Sequence, residues 1–249
     1  MPPRAHARTL RPWLLRLFPL LAVVLVSACG GSEPTAKSPK LKDATPTAER
    51  DDLHGVRTSS EIGGMNEDEV DAVFKKTLST LERCLNKGAA RVEFLSGSVS
   101  FFLKVDSAGK VDQAYLERST LGDRDTEKCM LAALKSRTWP KPVGGEHGLA
   151  KKSFDFDSPN DVRPPMEWDS ERAKTVLKKL GDKLNDCRGG ASGSFEATAY
   201  VSTEGSVITA SVTPPNESGE AAVDCLVDTL REASFPSPGS WPAKITFSL

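Results

Sequence analysis

Two stretches of equal length decide how this chain is read. The first is VSFFLKVDSAGKVDQAYLERSTLGDRDTEKCMLAALKSRTWP, residues 99–140. The second is FEATAYVSTEGSVITASVTPPNESGEAAVDCLVDTLREASFP, residues 195–236. In the first, Gly109-Lys110-Val111 stands 20 positions before Cys129. In the second, Gly205-Ser206-Val207 stands the same 20 before Cys225. Ten residues past each cysteine comes an aromatic-proline pair, Trp139-Pro140 and Phe235-Pro236. With that frame fixed, Val111 aligns with Val207, Ala114 with Ala210 and Leu116 with Val212. Upstream, Phe74-Lys75-Lys76 aligns with Leu177-Lys178-Lys179, Leu81 with Leu184 and Cys84 with Cys187, after one gap of seven residues. Agreement at this many spaced positions marks a tandem duplication.

Each copy carries the same order of local signals. Asn66-Glu67-Asp68-Glu69 reads as a helix cap with an acid three residues on. Val70, Val73, Phe74, Thr77, Leu78, Leu81 and Leu85 follow with helical spacing. Val99, Phe101, Leu103 and Val105 alternate as one face of a strand. Asp106-Ser107-Ala108-Gly109 is turn chemistry, and Val111 to about Glu117 is the returning strand of a hairpin. Asp125 or Thr126 opens a second helix with Met130, Leu131, Ala133 and Leu134, and Lys151 to Asp157 is a third strand. In the second copy the helices open at Asp169 or Ser170 and at Ser218. The strands run over about 194–202, 206–213 and 243–249. The expected fold class is α+β: two tandem small domains, each helix-hairpin-helix-strand with a three-stranded antiparallel sheet. The domains are 65–158 and 167–249.

The first 64 residues read differently. Arg4, Arg8, Arg11 and Arg16 precede an apolar run from Leu17 through Leu25, which ends in Val26-Ser27-Ala28-Cys29. This is a secretory signal over residues 1–28, too short to span a bilayer comfortably. Val-Ser-Ala-Cys resembles the lipobox of bacterial lipoproteins. That resemblance implies cleavage after Ala28 and acylation of Cys29, with Gly30 favouring outer-membrane rather than inner-membrane placement. Residues 29–64 are polar, carry Pro34, Pro39 and Pro46, and read as a flexible tether facing the periplasm or the cell surface. Of the 249 residues, 33 are basic and 34 acidic, for a formal net charge of −1. Removal of residues 1–28 takes four arginines and no acid, leaving 221 residues with a charge of −5. That balance gives no footprint for nucleic acid.

Four cysteines remain after Cys29, two per copy at matching places. The repeat selects the bridges Cys84–Cys129 and Cys187–Cys225, suited to an oxidising compartment. No C-x-x-C occurs and no ligand histidine stands beside either pair, so no metal or cofactor is expected. His147, in Gly144-Gly145-Glu146-His147-Gly148, reads as an exposed loop histidine, and Gly189-Gly190-Ala191-Ser192-Gly193 as a turn without the Gly-Lys-Ser/Thr ending of a phosphate loop. The pair Asp155 and Asp157 reads as the solvated side of a strand. The better functional candidates are the last strands of the copies, read as sheet edges. Phe154 and Phe156, and Ile245 and Phe247, give their buried faces, while backbone groups are offered to another chain or to each other.

The helix-end cysteine, the Gly-x-Val hairpin, the second cysteine and the aromatic-proline before the last strand together resemble the TonB C-terminal domain family, in its AgmX/PglI-type branch. The resemblance covers about 66–157 and 169–249. It implies a periplasmic binding module, with some members serving energy-transduction or motility complexes. This chain departs from TonB in its anchor, a lipid in place of an inner-membrane helix. The expectation is a non-catalytic, lipid-anchored envelope protein that binds or organises protein partners. The alternatives are a structural homo-oligomer and a cell-wall-acting enzyme.

Overall fold

In a computed structural model, which describes residues 56–158 and 161–249, four helices and two sheets alternate in one order. The first half contains β1 (Val56–Gly63), α1 (Glu67–Ala89), β2 (Gly97–Asp106), β3 (Val111–Ser119), α2 (Arg124–Lys135) and β4 (His147–Phe156). The second contains β5 (Met166–Trp168), α3 (Lys174–Arg188), β6 (Glu196–Val201), β7 (Val207–Thr213), α4 (Glu220–Arg231) and β8 (Ala243–Ser248). Short 3-10 turns at Ser170–Ala173 and Glu217–Gly219 lead into α3 and α4.

The helix starts follow from capping chemistry. The Asn66 side chain accepts a hydrogen bond from the Glu69 amide at 3.0 Å, and Asp169 accepts from the Glu171 amide at 2.8 Å. Each cap satisfies an amide that has no partner inside the helix. Both helix pairs are stapled: Cys84 joins Cys129 and Cys187 joins Cys225, closing sequence separations of 45 and 38. The pairing is the one the repeat selects.

The repeated motif has a structural reason. Gly109 and Gly205 close the two hairpins with φ of +81° and +87°. A Cβ at either would lie 2.4 Å from the Trp139 carbonyl oxygen or 2.1 Å from that of Phe235. The aromatic residue's amide in turn donates to the glycine's carbonyl, at 2.8 Å in both halves. The Gly-x-Val and aromatic-Pro elements therefore touch, and the hairpin turn is clipped to the chain that leads toward the last strand.

The sheets have four strands rather than the three expected of each copy. Their orders are β1-β4-β2-β3, all antiparallel, and β5-β8-β6-β7, in which β5 runs parallel to β8. The extra strands come from segments with little apolar alternation. One is residues 56–63, near the end of the stretch that reads as tether, and the other is the three-residue piece 166–168 where the second copy begins. Neighbouring backbone supplies their pairing, which a period-2 search cannot see.

Each sheet buries one face under its own helices. Phe101, Leu103, Leu116, Phe154 and Phe156 pack with Phe74, Leu81 and Met130 in one core. Ala197, Ala199, Val212, Ile245 and Phe247 pack with Leu184, Val223 and Leu226 in the other. The cores are not independent. Tyr200, from β6 of the second half, is fully buried within the first core, and the two halves belong to one compact unit.

Candidate functional site

Three of the four residues that the sequence offers as a binding edge, Phe154, Phe156 and Ile245, have strands paired on both sides. Phe154 and Phe156 lie on β4, between β1 and β2, and Ile245 and Phe247 lie on β8, between β5 and β6. All four side chains are buried, as the alternation requires. The backbone of β4 is paired on both sides along its length, whereas β8 is paired on both sides only over residues 243–245; beyond that, Phe247 is paired with β6 alone among the described residues. β1 covers β4 along its length, so Phe154 and Phe156 are not on an open edge, whereas β5 covers only residues 243–245 of β8 and leaves the Phe247 end without a described strand on that side. His147 is the first residue of β4 rather than part of a loop, with Nε2 3.7 Å from Asp112. Cys29, the signal segment and the rest of the tether lie outside the described residues.

Residues that alternation assigns to a solvated surface meet at the junction of the halves. The side of the second sheet facing away from its helices carries Thr198, Tyr200, Thr209, Ser211 and Lys244, and all are buried. The turn from β3 into α2 lies against it. A Cβ on Gly122 would meet the Tyr200 ring at 2.8 Å and Thr198 at 3.0 Å. Asp123, 1% exposed, accepts from Thr126 Oγ1 at 2.6 Å, from Thr209 Oγ1 at 2.8 Å, and from Arg91. The Tyr200 hydroxyl donates to the Ser96 carbonyl at 3.0 Å and accepts from the Ser96 amide at 3.3 Å. Burial pushes its pKa up to about 12, so it stays a donor. Arg124 reaches Glu220 and Asp224, each at 2.9 Å, and Lys128 reaches Asp224 at 2.8 Å. In the repeat frame Arg124 aligns with Glu220 and Lys128 with Asp224, so equivalent positions carry opposite charge and pair.

Glu127 sits fully buried in this junction. Its Oε1 accepts from Ser119 Oγ at 2.5 Å, while Oε2 and the Ser211 hydroxyl, which acts on the carboxyl, both lack a well-formed hydrogen bond among the described residues. Burial pushes the carboxyl up to about 7, with Ser119 opposing and Asp123 adding to the rise. A polar group buried without full pairing costs about 1–3 kcal/mol, so Glu127 is a weak point that senses its protonation state.

The first sheet differs from the second on this outer side. Ser98, Ser100, Phe102 and Lys104 of β2, Tyr115 of β3, and Lys151 and Ser153 of β4 are only half-buried. None of them belongs to either core. Phe102 and Tyr115 pack with centroids 4.9 Å apart, Lys151 Nζ lies 5.7 Å from the Phe102 centroid, and Leu149 is 40% exposed. At the end of this face, where β2 begins and β3 and β4 finish, a cleft of 350 Å³ opens between the halves. It is lined by Ser96, Ser98, Thr120, Asp155, Asp157, Ser158 and Lys244. Lys244 is 7% exposed. Its ammonium donates to the Ser96 carbonyl at 2.8 Å and lies 5.5 Å from the Tyr200 centroid. Burial holds its pKa below the usual lysine value, with Glu167 opposing.

Among the described residues no group of three or more His, Cys, Asp or Glu side chains is placed to hold a metal ion, and no helix is long and apolar enough to cross a membrane. No family model, curated protein or solved structure matches the chain. Reading the sequence missed Lys244 and Tyr200, whose strand alternation points outward from their own half, and Glu127, a charged residue of α2 that carries no local sign of burial. The available signal was the Thr/Ser-rich outward side of β6 and β7 with one tyrosine set in it.

Proposed function

We propose that this chain is a lipid-anchored protein of the bacterial cell envelope that binds protein partners and carries out no chemistry of its own. In this reading Cys29 is the acylated residue and the outer membrane the anchor. Residues 30–55 serve as the tether, and the two duplicated domains act as one folded unit. The family resemblance supports a binding module of the TonB C-terminal type. The observation that carries the reading is the asymmetry of the two sheets. The outer side of the second sheet is sealed by the first half, whereas the matching side of the first sheet presents Phe102, Tyr115 and Leu149 with lysines beside them. Aromatic side chains on a half-exposed surface offer large contact area at little conformational cost.

The test is site-specific photocrosslinking in intact cells from position 102, with position 183 on the exposed side of α3 as control. A defined envelope protein captured from 102, absent from 183 and lost in the Tyr115→Ser background, supports the reading. Capture of this chain alone replaces it with a homo-oligomer, and no capture above the control overturns it. Metabolic labelling with an alkyne fatty acid tests the anchor: signal on the wild type and none on Cys29→Ser is the expected pattern.

A further inference from the structure

Lys244 poses a physical question that the fold does not answer. It is a cation on a central strand, 7% exposed. One donor is used on a carbonyl, and the remaining contact described for it is the Tyr200 ring. Among the described residues no carboxylate lies within ion-pair distance of its ammonium. Glu167, its register neighbour on β5, acts on it only from farther away. Buried charges are normally paired. This one lines an open cleft together with Ser98, Thr120 and Ser158; the Ser158 hydroxyl donates to Ser96 Oγ at 2.9 Å, while Ser98 and Thr120 share one hydrogen bond at 3.1 Å and so leave one hydroxyl donor for an oxyanion. The missing partner is therefore an anion that arrives through the cleft.

The cleft also leads somewhere. In the register of β2 and β4, Ser98 lies opposite Asp155, Ser100 opposite Ser153 and Phe102 opposite Lys151. That row runs from the cleft along the open side of the first sheet to the aromatic pair. Four residues of strand separate Ser98 from Phe102, about 13 Å at the usual rise, the span of about four residues of an extended peptide.

We propose that the cleft above Lys244 receives the terminal carboxylate of a partner polypeptide, whose preceding residues run along the open side of the first sheet and place an apolar side chain on Phe102 and Tyr115. This rests on the protein-binding reading above and names how such a partner is held. Capture of a chain terminus by fixed donors is an established mode of peptide recognition.

The experiment uses the full chain in detergent micelles and a fluorescein-labelled glycine-serine hexapeptide with leucine four positions before its last residue. The peptide is made as free acid and as carboxamide, and binding is read by anisotropy. The free acid is expected to bind about tenfold or more tighter, the effect of one charge-assisted contact. Moving the leucine by one position weakens binding, because it turns the side chain away from the sheet. Lys244→Met removes the acid-amide difference, whereas Phe102→Ala weakens both peptides alike. The acid-amide comparison needs no variant, so it stands even if Lys244→Met fails to fold. Equal binding of acid and amide overturns the proposal, as does displacement of the acid peptide by inorganic phosphate at lower concentration than by acetate. If neither peptide binds while position 102 still crosslinks a partner, the carboxylate site falls and the protein-binding reading stands.

Discussion

Raising the pH should loosen this protein through a single buried carboxyl. Glu127 is 0% exposed and its carboxyl is pushed up to about 7 from an ordinary 4.5. Burial is the main cause. The Ser119 and Ser211 hydroxyls and then Arg124 pull the other way, and Asp123 pushes with it. Because the folded state holds the proton more tightly than the unfolded state, the folded chain carries the extra proton between these two values. The stability it brings is fully present below about pH 4.5 and is lost as pH rises through 7. That rise in pKa corresponds to about 3 kcal/mol, a large fraction of the roughly 5–15 kcal/mol typical of a folded protein. The perturbation is Glu127→Gln, which keeps the shape and an acceptor for Ser119 but cannot ionise. The assay is urea unfolding of both proteins at pH 5 and pH 8.5 with the disulfides intact. At pH 5 the two should lie within about 1 kcal/mol of each other, since one hydrogen bond is altered. At pH 8.5 the variant should be the more stable by about 3 kcal/mol. All other titrating groups are common to both proteins, so the difference isolates position 127. A wild type and variant that change in parallel between the two pH values would refute the reasoning. A variant that is less stable at pH 8.5 would show instead that the carboxylate is the form the junction prefers.

Other expectations concern the same architecture. Tyr200→Phe removes the hydroxyl that serves both the amide and the carbonyl of Ser96, and should cost about 1–3 kcal/mol in urea unfolding. Gly205→Ala should cost 3 kcal/mol or more, roughly, because a positive φ is joined to a Cβ 2.1 Å from a carbonyl oxygen. Gly239→Ala, with positive φ but open space around it, should cost only about 1 kcal/mol on the same assay. Replacing Cys187 and Cys225 together by serine should lower stability by about 4 kcal/mol in the loop-entropy description, and thermal unfolding with and without reductant checks it.

Much of the fold was legible because its signals are local. The caps at Asn66 and Asp169, the helical spacing from Val70 to Leu81, the alternation from Val99 to Val105 and the glycine turns each act within a few residues, and each lies where expected. The disulfide pairing followed from the repeat, since matching positions in two copies leave one sensible connectivity. The strands β1 and β5 were not legible, because polar sequence becomes a strand only when a neighbour offers an unpaired edge. That one difference moved Phe154, Phe156 and Ile245 from expected edges to sheet interiors, while Phe247 lies past the end of β5.

The junction shows the boundary most clearly. Alternation states which side of a strand is apolar, and so it determined the two cores and assigned Thr198, Tyr200, Thr209, Ser211 and Lys244 to the other side. It does not state what that other side meets. The packing of α2 and its leading turn against β6 and β7 decided that these polar residues are buried. It also set Glu127 against them, left Lys244 with no carboxylate at ion-pair distance among the described residues, and kept the matching side of the first sheet open. Short-range periodicity is written residue by residue in the chain, whereas the environment of an outward-facing side chain is set by segments about a hundred positions away, joined to it only in the folded state.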